Sequence, residues 1–137
     1  MKIKNIINVI CRILLLIISA FLMLGVEFVF PSCNAQEDGT FMSCHWAQQG
    51  VLAASMILTF MAIVLLIIQN SKTQLALSVC MTGGAIITAL IPNTMIQLCV
   101  MPAMHCNAVM KPSVLACCIA LAVISIVNLI VNVKTEK

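Results

Sequence analysis

Four apolar stretches, at about 6–30, 50–68, 75–96 and 112–133, limit what this chain can fold into more than any other feature. Each is near the roughly 20 residues that carry a helix across about 30 Å of hydrocarbon. Lipid offers no water to bond stray N–H and C=O groups, so a spanning segment must satisfy its own backbone. None of the stretches shows the in-out alternation of a membrane-barrel strand, which leaves helices. Composition closes the soluble route. Of the 137 residues, 63% are hydrophobic and 8% charged, whereas soluble domains carry roughly a quarter charged residues. A water-soluble domain of this size would bury only about two thirds of its chain surface and could not hide so much apolar area.

The expected fold is therefore all-α. It is a single integral-membrane domain spanning 1–137, an antiparallel four-helix transmembrane bundle. The links at 31–49, 69–74 and 92–111 are short enough to make consecutive helices antiparallel neighbours. Lys2, Lys4, Arg12, Lys72, Lys134 and Lys137 fall on one side of this arrangement, and Lys111 alone on the other. Lys and Arg accumulate on cytoplasmic loops, so both termini are expected in the cytoplasm and the two longer loops outside it. Glu27, Glu37 and Asp38 fall on the outer side. Lys2 and Lys4, the apolar run and Cys33-Asn34-Ala35-Gln36 outline a secretory signal cut after Ala35. The run is long for a signal core and Glu27 interrupts the approach to the cut, so a retained helix is expected.

Charges within the spans are few. Arg12 and Glu27 lie in the first stretch and are expected to snorkel, Arg12 toward the cytoplasm and Glu27 outward. Without other interior charges, a proton or ion pathway is not expected. The net charge of +3 forms no basic patch, and one Trp with no Tyr leaves no stacking platform, so nucleic acid is excluded as a partner. Gly83-Gly84-Ala85 and Ala53-Ala54-Ser55 permit close approach of helix backbones. Cys11, Cys80, Cys117 and Cys118 read as small packing residues within spans. After Pro92, the greasy segment to Met101 either extends the third helix past a kink or lies flat at the interface.

The residues with chemistry gather in the two Cys-bearing extracytoplasmic loops. The first holds Cys33 and Met42-Ser43-Cys44-His45-Trp46, the second Cys99 and Met101-Pro102-Ala103-Met104-His105-Cys106. Both histidines and four of the eight cysteines of the chain are there. Outside the cytoplasm thiols oxidise, so Cys33, Cys44, Cys99 and Cys106 are disulfide candidates, by any of three pairings. Pairing within each loop would close it, and pairing between loops would tie the two hairpins together. A second reading is a copper or zinc site with ligands from Cys44, His45, His105, Cys106, Met42 and Met104, because thiolate and thioether suit Cu(I) and Cys with His suits zinc. A third is thiol–disulfide exchange, in a layout like that of quinone-linked disulfide-generating membrane proteins, although their Cys-x-x-Cys is missing here. Trp46 reads as an anchor at the outer membrane surface.

Met42-Ser43-Cys44-His45-Trp46-Ala47, followed by a Gly-opened apolar helix, resembles the signature of a family of small bacterial four-helix membrane proteins classed as a domain of unknown function. Ile91-Pro92, Leu98-Cys99, Met101-Pro102-Ala103-Met104-His105-Cys106 and Lys111-Pro112 resemble that family's second signature. The resemblance spans nearly the whole chain. It implies the bacterial cytoplasmic membrane and a partner role beside export-type transporter components with an ATPase. The expected function is a non-enzymatic accessory or structural subunit of a transport-related membrane assembly, with a disulfide-stabilised outer cap. The alternative is a metal-binding or thiol-redox membrane protein using the same cluster. The expected partners are the lipid bilayer and a larger membrane transporter subunit.

Overall fold

The computed structural model describes residues 2–29, 39–40, 43–96 and 106–136. Four long helices account for nearly all of them: α1 (Lys2–Leu24), α2 (Ser43–Ile67), α3 (Ser71–Leu90) and α4 (Lys111–Glu136). All four spans, counted with adjoining turns, are long and apolar enough to cross a membrane. At 1.5 Å per residue even α3, the shortest at 20 residues, reaches roughly 30 Å.

Wide π-helical turns continue α1 over Gly25–Val29 and α3 over Ile91–Met95, and another leads into α4 over Cys106–Met110. The cause is plainest at Pro92, which has no N–H to offer an α-helical ladder. The chain relaxes into the longer i→i+5 repeat, and the Ile96 N–H reaches the Ile91 carbonyl at 3.2 Å. Helical turns thus continue past Pro92 to Met95, and the rest of the greasy segment, 97–101, lies outside the described residues. Between α2 and α3 only 68–70 lie outside helix, and the Asn70 side chain accepts from the Lys72 N–H at 3.4 Å to cap α3.

Most of the buried positions follow one another in steps of three and four along every helix. In α2 they are Cys44, Gln48, Val51, Ser55, Leu58, Ala62 and Leu65. In α4 and the turn before it they are Met110, Val114, Cys118, Leu121, Ser125, Asn128 and Asn132. Arg12, Leu15, Ser19, Leu22 and Val26 do the same in α1, and Gln74, Ser78, Met81, Ala85 and Thr88 in α3. Such spacing keeps one stripe of each helix turned to its neighbours, as in the seam of a packed helical bundle. Here it is built from apolar, small and amide side chains together. The large apolar side chains Ile17, Phe21, Phe60, Ile87, Ile119 and Ile130 stand exposed on the outside. Such a surface is stable against hydrocarbon and unstable against water.

α1 packs on α2 and α4, α3 packs most closely on α4, and of these neighbouring pairs α2 and α3 meet least. The antiparallel order follows from which residues meet. Asn8 bonds Asn132, Gln48 bonds Val26, and Gly50 faces Ile91. Both termini and the 68–70 link therefore share one end, with Lys2, Lys4, Lys72 and Lys134. Glu27, Cys44 and Lys111 share the other. Of the expected close-approach residues, Gly84 is the one whose missing side chain matters: a Cβ there would lie 2.9 Å from Leu58 Cδ2. Gly83 has open space around it.

Replacing Gly84 by Val should lower stability by about 1–3 kcal/mol through overpacking. Adding Leu58→Ala should recover part of that loss. Unfolding in mixed detergent, followed by loss of helical circular dichroism, checks both.

Candidate functional site

At the end away from the termini, helix α2 starts at Ser43, ahead of the boundary near position 50 read from the glutamines and Gly50. Cys44, His45 and Trp46 therefore stand on the first turn of α2 and not in a loop. A helical backbone keeps its own groups bonded at the membrane surface as well as within it. Gln48 Nε2 donates to the Val26 carbonyl at 2.9 Å, pinning this turn to the end of α1. Cys44 is fully buried, His45 half-buried and Trp46 61% exposed, as an anchor at the membrane surface requires. The His45 and Trp46 rings meet edge-on, with centroids 5.9 Å apart and planes at 78°.

Of the other predicted site residues, Cys33, Met42, Cys99, Met101, Met104 and His105 lie outside the described residues. The backbone of Cys106 opens the turn before α4 at the same end of the bundle as Cys44. No disulfide joins two of the described residues, and among them no three His, Cys, Asp or Glu side chains gather as a metal site. Cys11 and Cys118 are buried in the bundle and Cys117 packs against its core, as small packing residues do. Cys80 instead faces outward between α2 and α3. Glu27 is exposed on the π-helical turn after α1.

The opposite end holds a second site that composition did not announce. A cavity of about 370 Å³ opens there, lined chiefly by Asn5, Asn8, Arg12, Gln69, Gln74 and Asn132. Arg12 does not snorkel out to water. It is 8% exposed and turned into the bundle, where Nη2 donates to Gln74 Oε1. The expectation that Arg12 would snorkel toward the cytoplasm is corrected accordingly. Arg12 sits on the face of α1 that the seam buries, and the side chain follows that face.

Each polar side chain around the cavity ties two elements. Gln74 Nε2 donates to the Ile68 carbonyl at 2.8 Å, so one amide holds both Arg12 and the α2–α3 link. Asn8 Nδ2 donates to Asn132 Oδ1 at 2.7 Å, joining α1 to α4. Deeper in, Ser78 joins α3 to α4: its carbonyl accepts from Ser125 Oγ at 2.8 Å and its Oγ from Asn128 Nδ2 at 2.9 Å. Ser78 Oγ in turn donates to the Gln74 carbonyl at 2.8 Å. Among the described residues four buried atoms have no partner: Asn8 Oδ1, Arg12 Nε, Asn128 Oδ1 and Asn132 Nδ2. An orphaned donor or acceptor in a low-dielectric interior is costly, and its persistence points to a role.

A signal for this site does exist in the sequence. Asn5, Asn8 and Arg12 share the 3-4 spacing of Ser125, Asn128 and Asn132, which places each trio on one helix face. Isolated amides in greasy helices carry little weight until two such trios are seen to meet.

These features define a multi-pass helical membrane protein with a polar seam that widens into an arginine-containing cavity. Residues 15–131 match the family described as Domain of unknown function (DUF4418), and the chain belongs to that family. The match takes in Gln74, Ser78, Ser125 and Asn128, while Asn8, Arg12 and Asn132 lie just beyond its limits. Neither the curated proteins nor the solved structures contain a match to the chain.

A double-mutant cycle on Ser78→Ala and Asn128→Ala should give a coupling of about 0.5–2 kcal/mol, the range of interhelical hydrogen bonds in membranes. Unfolding in mixed detergent reads it, and a coupling of zero would mean that the bond does not form.

Proposed function

We propose that this chain is a non-enzymatic accessory or structural subunit of a transport-related bacterial membrane assembly. The observation that carries the reading is the half-open seam between α2 and α3. A groove of about 170 Å³ runs along it, lined by Ala54, Ile57, Met61, Cys80, Gly84 and Thr88 among others. Its polar hydroxyl is internally occupied, with Thr88 Oγ1 donating to the Gly84 carbonyl at 2.7 Å. Small residues that bare the backbone are what a second transmembrane helix packs against, whereas flexible lipid tails fill such a groove poorly. A helix of a larger transporter subunit is the occupant that also agrees with the family resemblance.

The bundle lies in the bacterial cytoplasmic membrane with both termini inside. What supports this direction is the gathering of Lys2, Lys4, Lys72 and Lys134 at one end against Lys111 at the other. The outer cap is stabilised by disulfides among Cys33, Cys44, Cys99 and Cys106, each contributing about 2–4 kcal/mol. Supporting it are the extracytoplasmic setting and the common end shared by Cys44 and the Cys106 backbone. The same convergence, with His45 beside Cys44, favours one second reading: copper or zinc binding, or thiol–disulfide exchange, at this cap.

Alkylation of the unfolded, unreduced protein followed by mass spectrometry should label Cys11, Cys80, Cys117 and Cys118 and leave the other four cysteines unlabelled. Copper or zinc that copurifies with the protein and disappears in Cys44→Ser would replace the structural reading of the cap by the metal reading. Cys80→Trp should fill the α2–α3 groove from its open side without touching the core. It is expected to keep the thermal midpoint of the bundle and to lose the copurifying transporter subunit. Unchanged copurification would remove the groove as the contact.

A further inference from the structure

We infer that the cavity at the lysine-bearing end is a binding site for a phosphate group, held by Arg12 and carried by an anionic phospholipid headgroup. The case starts from charge. Arg12 keeps its proton at any accessible pH and is 8% exposed, about 15 Å along α1 from Lys2. A buried cation needs an anion or a rich set of acceptors. Among the described residues its hydrogen-bond partner is one neutral amide oxygen, that of Gln74. Among the described side chains the acid Glu27 lies at the far end of α1 and none pairs with Arg12, while Glu136 closes α4 at the same end as Arg12, one turn beyond Asn132.

The surroundings suit an anion. The cavity beside Arg12 measures about 370 Å³, enough for a headgroup. Of the lining residues, Asn132, 3% exposed, has a buried Nδ2 with no acceptor and Arg12 Nε is a second unused donor, against one unused acceptor, Asn8 Oδ1. A planar guanidinium fork matches phosphate oxygens two at a time. Lys4, Lys72 and Lys134 are exposed at the same end and add attraction at the entrance. A basic pocket between transmembrane helices at this level is where headgroup phosphates bind. This inference stands independently of the subunit reading, because it uses no residue of the α2–α3 groove or of the cysteine end.

The test uses the full chain in phosphatidylcholine nanodiscs, with and without phosphatidylglycerol, read by thermal midpoint and by native mass spectrometry. The wild type should retain phosphatidylglycerol about tenfold to a hundredfold more tightly than phosphatidylcholine, the range of charged hydrogen bonds. Gln74→Glu sets a carboxylate of the chain against Arg12, so it should keep the fold and abolish the preference. Arg12→Gln should abolish it as well, and Lys72→Gln with Lys134→Gln should only weaken it. Inorganic phosphate and glycerol phosphate, added without anionic lipid, separate the sources. Arg12-dependent stabilisation by these soluble ions alone would keep the phosphate site and give it a free anion as ligand. Three results would overturn the inference: no preference in the wild type, full preference in both Gln74→Glu and Arg12→Gln, or complete loss through the lysine substitutions alone.

Discussion

Lipid tails are as apolar as leucine, so the helices of this bundle gain little from burying apolar side chains against one another. What holds them is close packing and hydrogen bonds between helices. The rest of the structure depends on this constraint. It explains why Ile17, Phe60 and Ile119 face outward while Ser78, Ser125 and Asn128 are buried. It also explains why the buried hydroxyls bond to carbonyls of their own helices, as Ser55 does to Leu52 and Thr88 to Gly84, when no partner helix offers an acceptor. A polar group left to hydrocarbon would cost more than any packing around it returns.

The same constraint makes the seam uneven along its length. Toward the cysteine end it is filled by Val26, Val51, Ala85, Met110 and Val114, and packing dominates. Toward the termini, amides and Arg12 replace them, and side-chain bonds join α1 to α3, α1 to α4 and α3 to α4. Polar side chains are longer and more directional than the aliphatic ones they replace, so they close space less completely. The cavity opens where that replacement is greatest. A charge that would be hard to place in the middle of a span is tolerated near its end, in an amide-lined recess. Recess and charge are therefore parts of one arrangement, and the orphaned donors mark where a ligand would complete it.

The two ends divide the chemistry of the chain. The cysteine end carries soft, oxidisable groups on the first turn of α2 and on the approach to α4, pinned by Gln48 against the end of α1. The other end carries hard, permanently charged and amide groups. Between them the bundle has a gap in its ring, since α2 and α3 share a short link but little surface. Gly84 against Leu58 brings the pair close at one level, and the groove opens beside that contact. A subunit that uses one face for a partner helix, one end for a cap and the other for lipid is consistent with these separate features.

The number of spans, their helical form and the segregation of lysines to one end were legible in the sequence, because each follows from local composition and from backbone bonding in lipid. The outer cluster was legible as a set of residue types, and Pro92 as the place where the regular α-helix gives out. The face each helix buries was not legible. In a water-soluble helix the apolar stripe marks the buried side, but here both sides are apolar, so Leu15 and Ile17 look alike although one is buried and the other exposed. The start of α2 was misplaced for a related reason: polar residues such as Gln48 signal a loop in water, yet here one bonds a neighbouring helix. Arg12 shows the division most clearly. Its residue type set its charge, but whether that charge reached out to water or in toward Gln74 depended on which way α1 was turned by α2 and α4, and that rotation is set only by packing between helices.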